Sequence, residues 1–359
     1  MGHIGKWQFT DFDKVMRPHF DFARIYSDLH WYPSPIPGGP PLHTIDRNQK
    51  DAIEFLRNRP KNKPFLLTVA FFPPHAVDGT KEQYFPQNKT MGLYNNMTLK
   101  PPSHPNMSES WRHMPNFFDE RNEGRNRWHL RFDHPSKYQH MLKNYYRLVS
   151  GVDAACRRIV EELKRQQQYD NTLIIFTADN GLYHGEHGLA GKWYPHQESI
   201  RIPLIIKDPR MPAVHRNATN DAFTLNVDLA STILSAANLP APSTMQGRDI
   251  STLYLRSSDH EPWRQDMYYE HPKLDVRGGK SIIPGSTALV RKDFKYIAWA
   301  KDESKGYRHP MMEQLFDLLT DPKEAFDLAA APAYFGILNE MRARHDELRE
   351  WVKSSLEFS

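Results

Sequence analysis

Apolar residues in this chain come in short blocks between long polar and proline-rich stretches, and the period within each block predicts an element. Ala52, Ile53, Phe55 and Leu56 give one face to a helix over Arg47 to Arg59, with Asp46 placed to cap it. The unbroken run Phe65-Leu66-Leu67-Thr68-Val69-Ala70-Phe71 then reads as a buried strand. From Pro135 to about Gln166, Tyr138, Leu142, Tyr145, Val149, Val152, Ile159 and Leu163 recur near helical spacing, and Thr172 to Phe176 (TLIIF) is the next strand. A helix feeding a strand twice over is the alternation of an α/β protein with a doubly wound sheet. Pro203 to Ile206 adds a short strand and Val227 to Leu239 a helix. After about residue 255 the pattern changes to paired short strands, Thr287 to Arg291, Phe294 to Trp299 and Leu315 to Asp317, closed by a helix from about Ala333 to Leu356. Two regions lack a period. The first forty-odd residues, with Pro33-Ser34-Pro35-Ile36-Pro37, read as surface loop, and residues 73 to 134 read as the kind of long loop region that surrounds an active site. The expected organisation is a doubly wound mixed sheet flanked by helices over residues 1–255, followed by a smaller C-terminal α+β domain over 256–359.

Composition narrows the function classes. At 359 residues with 12% aromatics the chain can bury a large core, although 28 prolines make it rich in extended connections. The formal charge of +4 is mild and no run of five Lys/Arg is present, which speaks against nucleic acid and suits an anionic substrate. No apolar stretch approaches the length of a transmembrane helix, and Met1 to Trp7 carries no signal-type hydrophobic segment. The single cysteine, Cys156, cannot form an internal disulfide. Four Asn-x-Ser/Thr triplets, at Asn88, Asn96, Asn106 and Asn217, point to a secretory route.

Open α/β sheets present ligands at the carboxyl ends of their strands, so chemistry is sought just after Phe176. Asp179 and Asn180 stand there, two short hard oxygen donors suited to Ca2+ or Mg2+, with Gly181 to turn the chain beside them. By themselves they would read as an Asx turn ending a strand. The run continues through Tyr183-His184-Gly185-Glu186-His187-Gly188, Gly191-Lys192-Trp193, His196, Glu198, Arg201 and Pro203. This ordered series closely resembles the formylglycine-dependent type I sulfatases of the alkaline-phosphatase superfamily. The resemblance implies an alkaline-phosphatase-like fold, a divalent metal, usually Ca2+, on Asp179 and Asn180, contact of Lys192 with the sulfate group, and a substrate-binding place for His196 as well. Gly5-Lys6-Trp7 resembles the family segment whose lysine bridges nucleophile and sulfate. Phe72-Pro73-Pro74-His75 resembles the segment whose histidine protonates the leaving alcohol. Gln8 departs from the pattern, since the family usually has His there. Gly247 to Ser251, Glu313 to Leu318 and Asp321-Pro322-Lys323-Glu324 resemble later markers of structural role.

The family nucleophile is a formylglycine made from the Cys or Ser of Cys-x-Pro-x-Arg, near an Asp-Asp pair that completes the metal site. Neither is found in these residues: Cys156 is followed by Arg157-Arg158, and Ser103-His104-Pro105 lacks the arginine. In the family both precede the Gly-Lys-Trp segment, so the expectation is an N-terminally truncated chain, lacking the first strand and helix and inactive by itself. The full-length form would be secreted or lysosomal and would be served by a formylglycine-generating enzyme. The function so implied is a sulfuric ester hydrolase acting on a sulfated carbohydrate. The alternatives are a non-catalytic sulfated-glycan-binding relative, or a phosphodiesterase or phosphatase of the same superfamily, against which the Lys192 segment speaks.

Overall fold

The structure is a computed structural model that describes residues 1–8, 10–34, 37–102, 111, 114–255, 262–276, 278–300 and 310–356. Ser103 to Met107 and the Asn106 triplet lie outside the described residues. The chain forms two compact units, Met1–Pro101 with Leu130–Thr172, and Pro102–His129 with Leu173–Ser359.

The first unit is built on a parallel three-stranded sheet, with Gly2–Gly5 in the centre between Phe22–Ile25 and Leu67–Ala70. Two of these strands fall where the sequence pattern predicts loop. The segment Gly2-His3-Ile4-Gly5 has no apolar run, and its place in the sheet is set by what crosses it. A side chain at Gly2 would lie 2.8 Å from the Phe55 ring, and one at Gly5 would lie 1.9 Å from the Ala70 carbonyl oxygen. Gly5 also sits at φ 103, a conformation that favours glycine. The helix Thr44–Asn58 buries Ile45, Asn48, Ala52, Phe55 and Leu56, one stripe at helical spacing, and Ala52 meets Ile4 and Tyr26 in a small core. Its cap is His43, whose side chain accepts from the Ile45 amide. Asp46, the cap expected from the sequence, lies inside the first turn and pairs with Lys89 at 2.7 Å. The long helix Pro135–Arg165 follows the predicted span, with proline in its first turn and the His134 side chain accepting from Ser136. Cys156 lies inside this helix, and burial pushes its thiol up to about 11, in keeping with a packing residue.

In the second unit, Ile174–Thr177 pairs antiparallel with Leu204–Lys207. A four-stranded antiparallel sheet runs in the order Asp266–His271, Gly285–Arg291, Phe294–Ala300, Met312–Asp317. The period of two sends Tyr296 and Ala298 to one face, against Leu338 and Met341 of the helix Phe335–Leu356. Ile297 and Trp299 go to the other face, where they pack with Tyr183, Leu189 and Tyr194. Both faces are therefore buried, and the loop that carries the sequence's main motif is part of the sheet's core. That is why the compact units part elsewhere than at the 255/256 division expected from the sequence. The fold class is mixed α/β with a C-terminal sheet domain, as expected.

Candidate functional site

Asp179 and Asn180 follow the strand Ile174–Thr177 by two residues. The Asp179 carboxylate accepts from the Asn180 amide at 2.9 Å, and the Asn226 side chain donates to the Asp179 carbonyl at 3.0 Å. Gly181 then donates its amide to the Ser199 carbonyl at 2.8 Å. A side chain at 181 would come within 2.1 Å of the Glu198 carbonyl oxygen, so only glycine allows the turn to lie this close to residues 198–199. The Asn180 Nδ2 donates to the Gly181 carbonyl at 2.7 Å, which orients the amide, and Asn180 Oδ1 accepts from Lys192 Nζ at 2.7 Å. The structure thus brings Lys192 to Asn180, the neighbour of Asp179 in the chain.

Lys192 reaches this place from the short hairpin of Tyr183–His184 with Ala190–Gly191. The Glu186 carboxylate accepts from the His184 amide at 2.6 Å inside the hairpin loop, and Gly191 takes φ 98 at its end. We expect Gly181→Ala to force Asp179 and Asn180 away from residues 198–199 and to lower stability by about 1–3 kcal/mol, the usual range for overpacking, read from urea unfolding. Wild-type stability in this variant would show that the close approach is not required.

A carboxylate beside an amide oxygen, with neither thiol nor imidazole, is a donor set for a hard cation, so Asp179 and Asn180 fit Ca2+ by chemistry. They supply only part of the roughly six to eight oxygens that Ca2+ takes. Among the described residues no group of three or more His, Cys, Asp or Glu could hold a metal ion.

His196 differs from the expectation. It has 0% exposure, its Nδ1 lies 2.7 Å from the Tyr183 hydroxyl, and its ring stacks on His187 at 4.3 Å while meeting Trp299 and Phe316. A side chain so enclosed supports the loop from behind and does not offer a surface to a substrate. Beside it runs an ion pair that sequence reasoning missed. Lys295 and Glu324, both 0% exposed, meet at 2.6 Å. Lys295 Nζ also donates to the Pro195 carbonyl at 2.8 Å, and the Gln197 amide donates to Glu324 at 2.7 Å. Burial pulls the Lys295 ammonium below the usual lysine value, and the Glu324 carboxylate opposes that pull. The signals for this pair were a lysine inside an apolar strand and a glutamate in the Asp321 to Glu324 marker.

Lys6 and His75 belong to the first unit. Lys6 is the first residue beyond Gly2–Gly5, and its amide donates to the Ala70 carbonyl at 2.7 Å. His75 lies five residues beyond the end of Leu67–Ala70, the parallel neighbour of that strand. Both therefore follow the carboxyl ends of adjacent parallel strands, where open α/β sheets carry their ligands. The His75 amide donates to the Phe72 carbonyl at 2.9 Å, and its Nδ1 lies 2.7 Å from the Ala76 carbonyl. A carbonyl only accepts, so Nδ1 carries a proton there and Nε2 is the nitrogen that gains and loses one.

A family model described as Sulfatase matches residues 3–239 of the chain. The chain belongs to the sulfatase family. A second model, N-sulphoglucosamine sulphohydrolase, C-terminal, matches residues 185–351. Among curated relatives, an N-acetylglucosamine-6-O-sulfatase of Bacteroides thetaiotaomicron is 28% identical over 61% of this sulfatase chain and 37% of its own length. The multifunctional alkaline phosphatase superfamily protein PehA of Trinickia caryophylli is 28% identical over 80% of this chain and 56% of its own length. The chain thus spans about a third to a little over half of these two relatives. Among solved structures, a protein in complex with its substrate D-glucosamine-2-N,6-O-disulfate superposes with a TM-score of 0.74 at 22% identity, covering 98% of this chain and 80% of that one. At that identity the match speaks for the fold.

Proposed function

We propose that this chain carries the sulfate-binding and proton-donating share of a sulfuric ester hydrolase that acts on a sulfated carbohydrate. The observation that carries the reading is the Lys192 ammonium, 2.7 Å from Asn180 Oδ1, inside the segment matched by the sulfatase model. As the S–O bond of a sulfate ester breaks, negative charge gathers on the sulfate oxygens and on the leaving oxygen. Lys192 offers ammonium charge to the sulfate oxygens; by the family resemblance alone, Lys6 does the same and His75 gives the proton on Nε2 to the leaving oxygen. Asp179 and Asn180 would hold the Ca2+, which supplies further positive charge to the sulfate when bound. His196 keeps a supporting role behind the loop. The family's nucleophile on sulfur, a formylglycine installed by its generating enzyme, has no counterpart in these 359 residues, and the proposal is made for a full-length protein that carries one.

Two relatives support the substrate class: one is named for a sulfated N-acetylglucosamine, and one structure holds a disulfated glucosamine. A secreted or lysosomal location is supported by a relative named an extracellular sulfatase in Drosophila melanogaster, 31% identical over 66% of this chain and 19% of its own length. It is also supported by the exposed side chains of Asn88, Asn96 and Asn217. No helix among the described residues is long and apolar enough to cross a membrane.

In the full-length protein, Lys192→Ala should lower kcat/KM on an aryl sulfate and on sulfated glucosamine by roughly 10²–10³, the cost of removing one stabiliser of developing charge. Undiminished sulfate hydrolysis would overturn the reading. A phosphoester reading also has a specific basis, since a phosphonate monoester hydrolase of Agrobacterium radiobacter shares the fold with a TM-score of 0.69 at 21% identity, covering 86% of this chain and 60% of that one. A phosphonate monoester hydrolysed faster than any sulfate ester in the same assay would favour it.

A further inference from the structure

Three histidines of the first unit, His30, His43 and His75, form one hydrogen-bonded series through the backbone. His43, 0% exposed, accepts from the Ile45 amide on Nδ1 at 3.2 Å and donates from Nε2 to the Phe85 carbonyl at 3.1 Å. His30, 1% exposed, accepts from the Phe85 amide on Nδ1 at 3.0 Å and donates from Nε2 to the His75 carbonyl at 2.8 Å. Phe85 is therefore gripped on both sides of its α-carbon, and the chain of bonds runs from the first turn of helix Thr44–Asn58 to the residue read as the proton donor. Phe72 closes the gap between the rings, 5.5 Å from His30 and 5.1 Å from His75.

A backbone amide only donates and a carbonyl only accepts, so these partners leave each brace a single state. His30 and His43 must both be neutral, with the proton on Nε2. A second proton on either ring would set an N–H against an N–H. The groups that bear on them are the His43 and His75 rings for His30, and Asp46 and Lys89, themselves paired, for His43. Neither imidazole is a metal ligand or a surface group, and nothing in the proposed reaction uses them.

We propose that His30 is a positioning residue for His75: by holding the His75 carbonyl it keeps Nδ1 on Ala76 and leaves the transferable proton to Nε2, with His43 anchoring the Phe85 end. This rests on the reading of His75 as the proton donor. Two substitutions divide the two bonds of His30. In His30→Asn the amide oxygen stands near the place of Nδ1 and can serve Phe85, but the donor to His75 is lost. In His30→Gln the amide nitrogen stands near the place of Nε2 and keeps that donor.

The test is long-range 1H–15N spectroscopy of the histidine rings in the 359-residue protein. In the wild type, His30 and His43 should show the Nε2–H tautomer at neutral pH, and neutral His75 the Nδ1–H tautomer. His30→Asn should move the His75 titration midpoint by roughly 0.5–1 pH unit, about a three- to tenfold change in proton affinity, and should mix its tautomers. His30→Gln should restore both. A merely structural role predicts equal disturbance in the two variants, and that result would overturn the proposal, as would an unchanged His75 in folded His30→Asn. Should neither variant fold, the wild-type spectrum decides: a charged or Nδ1–H His30 at neutral pH overturns the proposal, and the Nε2–H form upholds it. The proton-donor reading fails separately, if His75→Gln in the full-length protein hydrolyses an alkyl sulfate as fast as wild type.

Discussion

Glu324→Ala is expected to lower the free energy of unfolding by about 3–5 kcal/mol, because it leaves the Lys295 ammonium buried without its counter-ion. The same substitution also removes the acceptor of the Gln197 amide. Lys295→Ala should cost a similar amount for the mirror reason. The paired replacement Lys295→Met with Glu324→Leu should recover most of the loss, since filling the site with apolar atoms removes both desolvated charges together. Urea unfolding of the two singles and the double gives the coupling energy directly. A cost below about 1 kcal/mol for Glu324→Ala would mean that water reaches the pair, as at an exposed salt bridge. The ion pair comes from the C-terminal sheet and its flanking loop, yet its two backbone partners, Pro195 and Gln197, flank His196 and follow Lys192 closely. Its loss should therefore loosen the segment that carries Lys192 and His196 as well as the sheet.

Stability should fall as pH drops from about 6.5 to about 4, with His30 and His43 as the main source. Burial holds both near 4 in the folded protein, against an ordinary value of 6.5. The unfolded chain then binds more protons than the folded one across this window, so acid favours unfolding. Their contribution is complete above pH 6.5 and is lost as pH falls toward 4. A tenfold change in proton affinity is worth about 1.36 kcal/mol, so each histidine accounts for on the order of 3 kcal/mol. His345, also lowered chiefly by burial, adds to the same slope. Glu162 acts lower on the scale. Its side chain is buried and accepts from Arg165 and Arg57, which hold the carboxyl well below the usual range, so its contribution is lost only as pH falls below the ordinary carboxylate value. Urea titrations at a series of pH values measure the slope, and His30→Gln with His43→Gln should flatten it. A wild-type stability that stays level between pH 6.5 and 4 would show that the two rings are not held neutral.

Much of the fold could be read from the residues in order. The helix over 135–165, the strands after it and the paired strands beyond 285 each have an apolar period long enough to be recognised, because one face of each must be buried. The strand Gly2–Gly5 was missed for the opposite reason. It is central in its sheet, its neighbours come from residues 22–25 and 67–70, and its two glycines mark places where other atoms come close instead of side chains packing outward. The cap of helix Thr44–Asn58 was displaced by three positions, since an acidic residue is the usual cap and an imidazole acceptor gives little signal in a sequence.

The sequence by itself determined the family and the chemical types at the site: the hard oxygens of Asp179 and Asn180, the ammonium of Lys192, and a glycine, Gly181, beside them to turn the chain. Those depend on residue identity and short spacing, which a linear reading retains. Only the tertiary structure decided that His196 is enclosed behind the loop, that Lys295 and Glu324 clamp that loop, that His30 holds the carbonyl of His75 and that His43 holds the carbonyl of Phe85. Each of those roles follows from burial and from a partner distant in sequence, and an ionisable side chain acquires either one only when the chain folds around it.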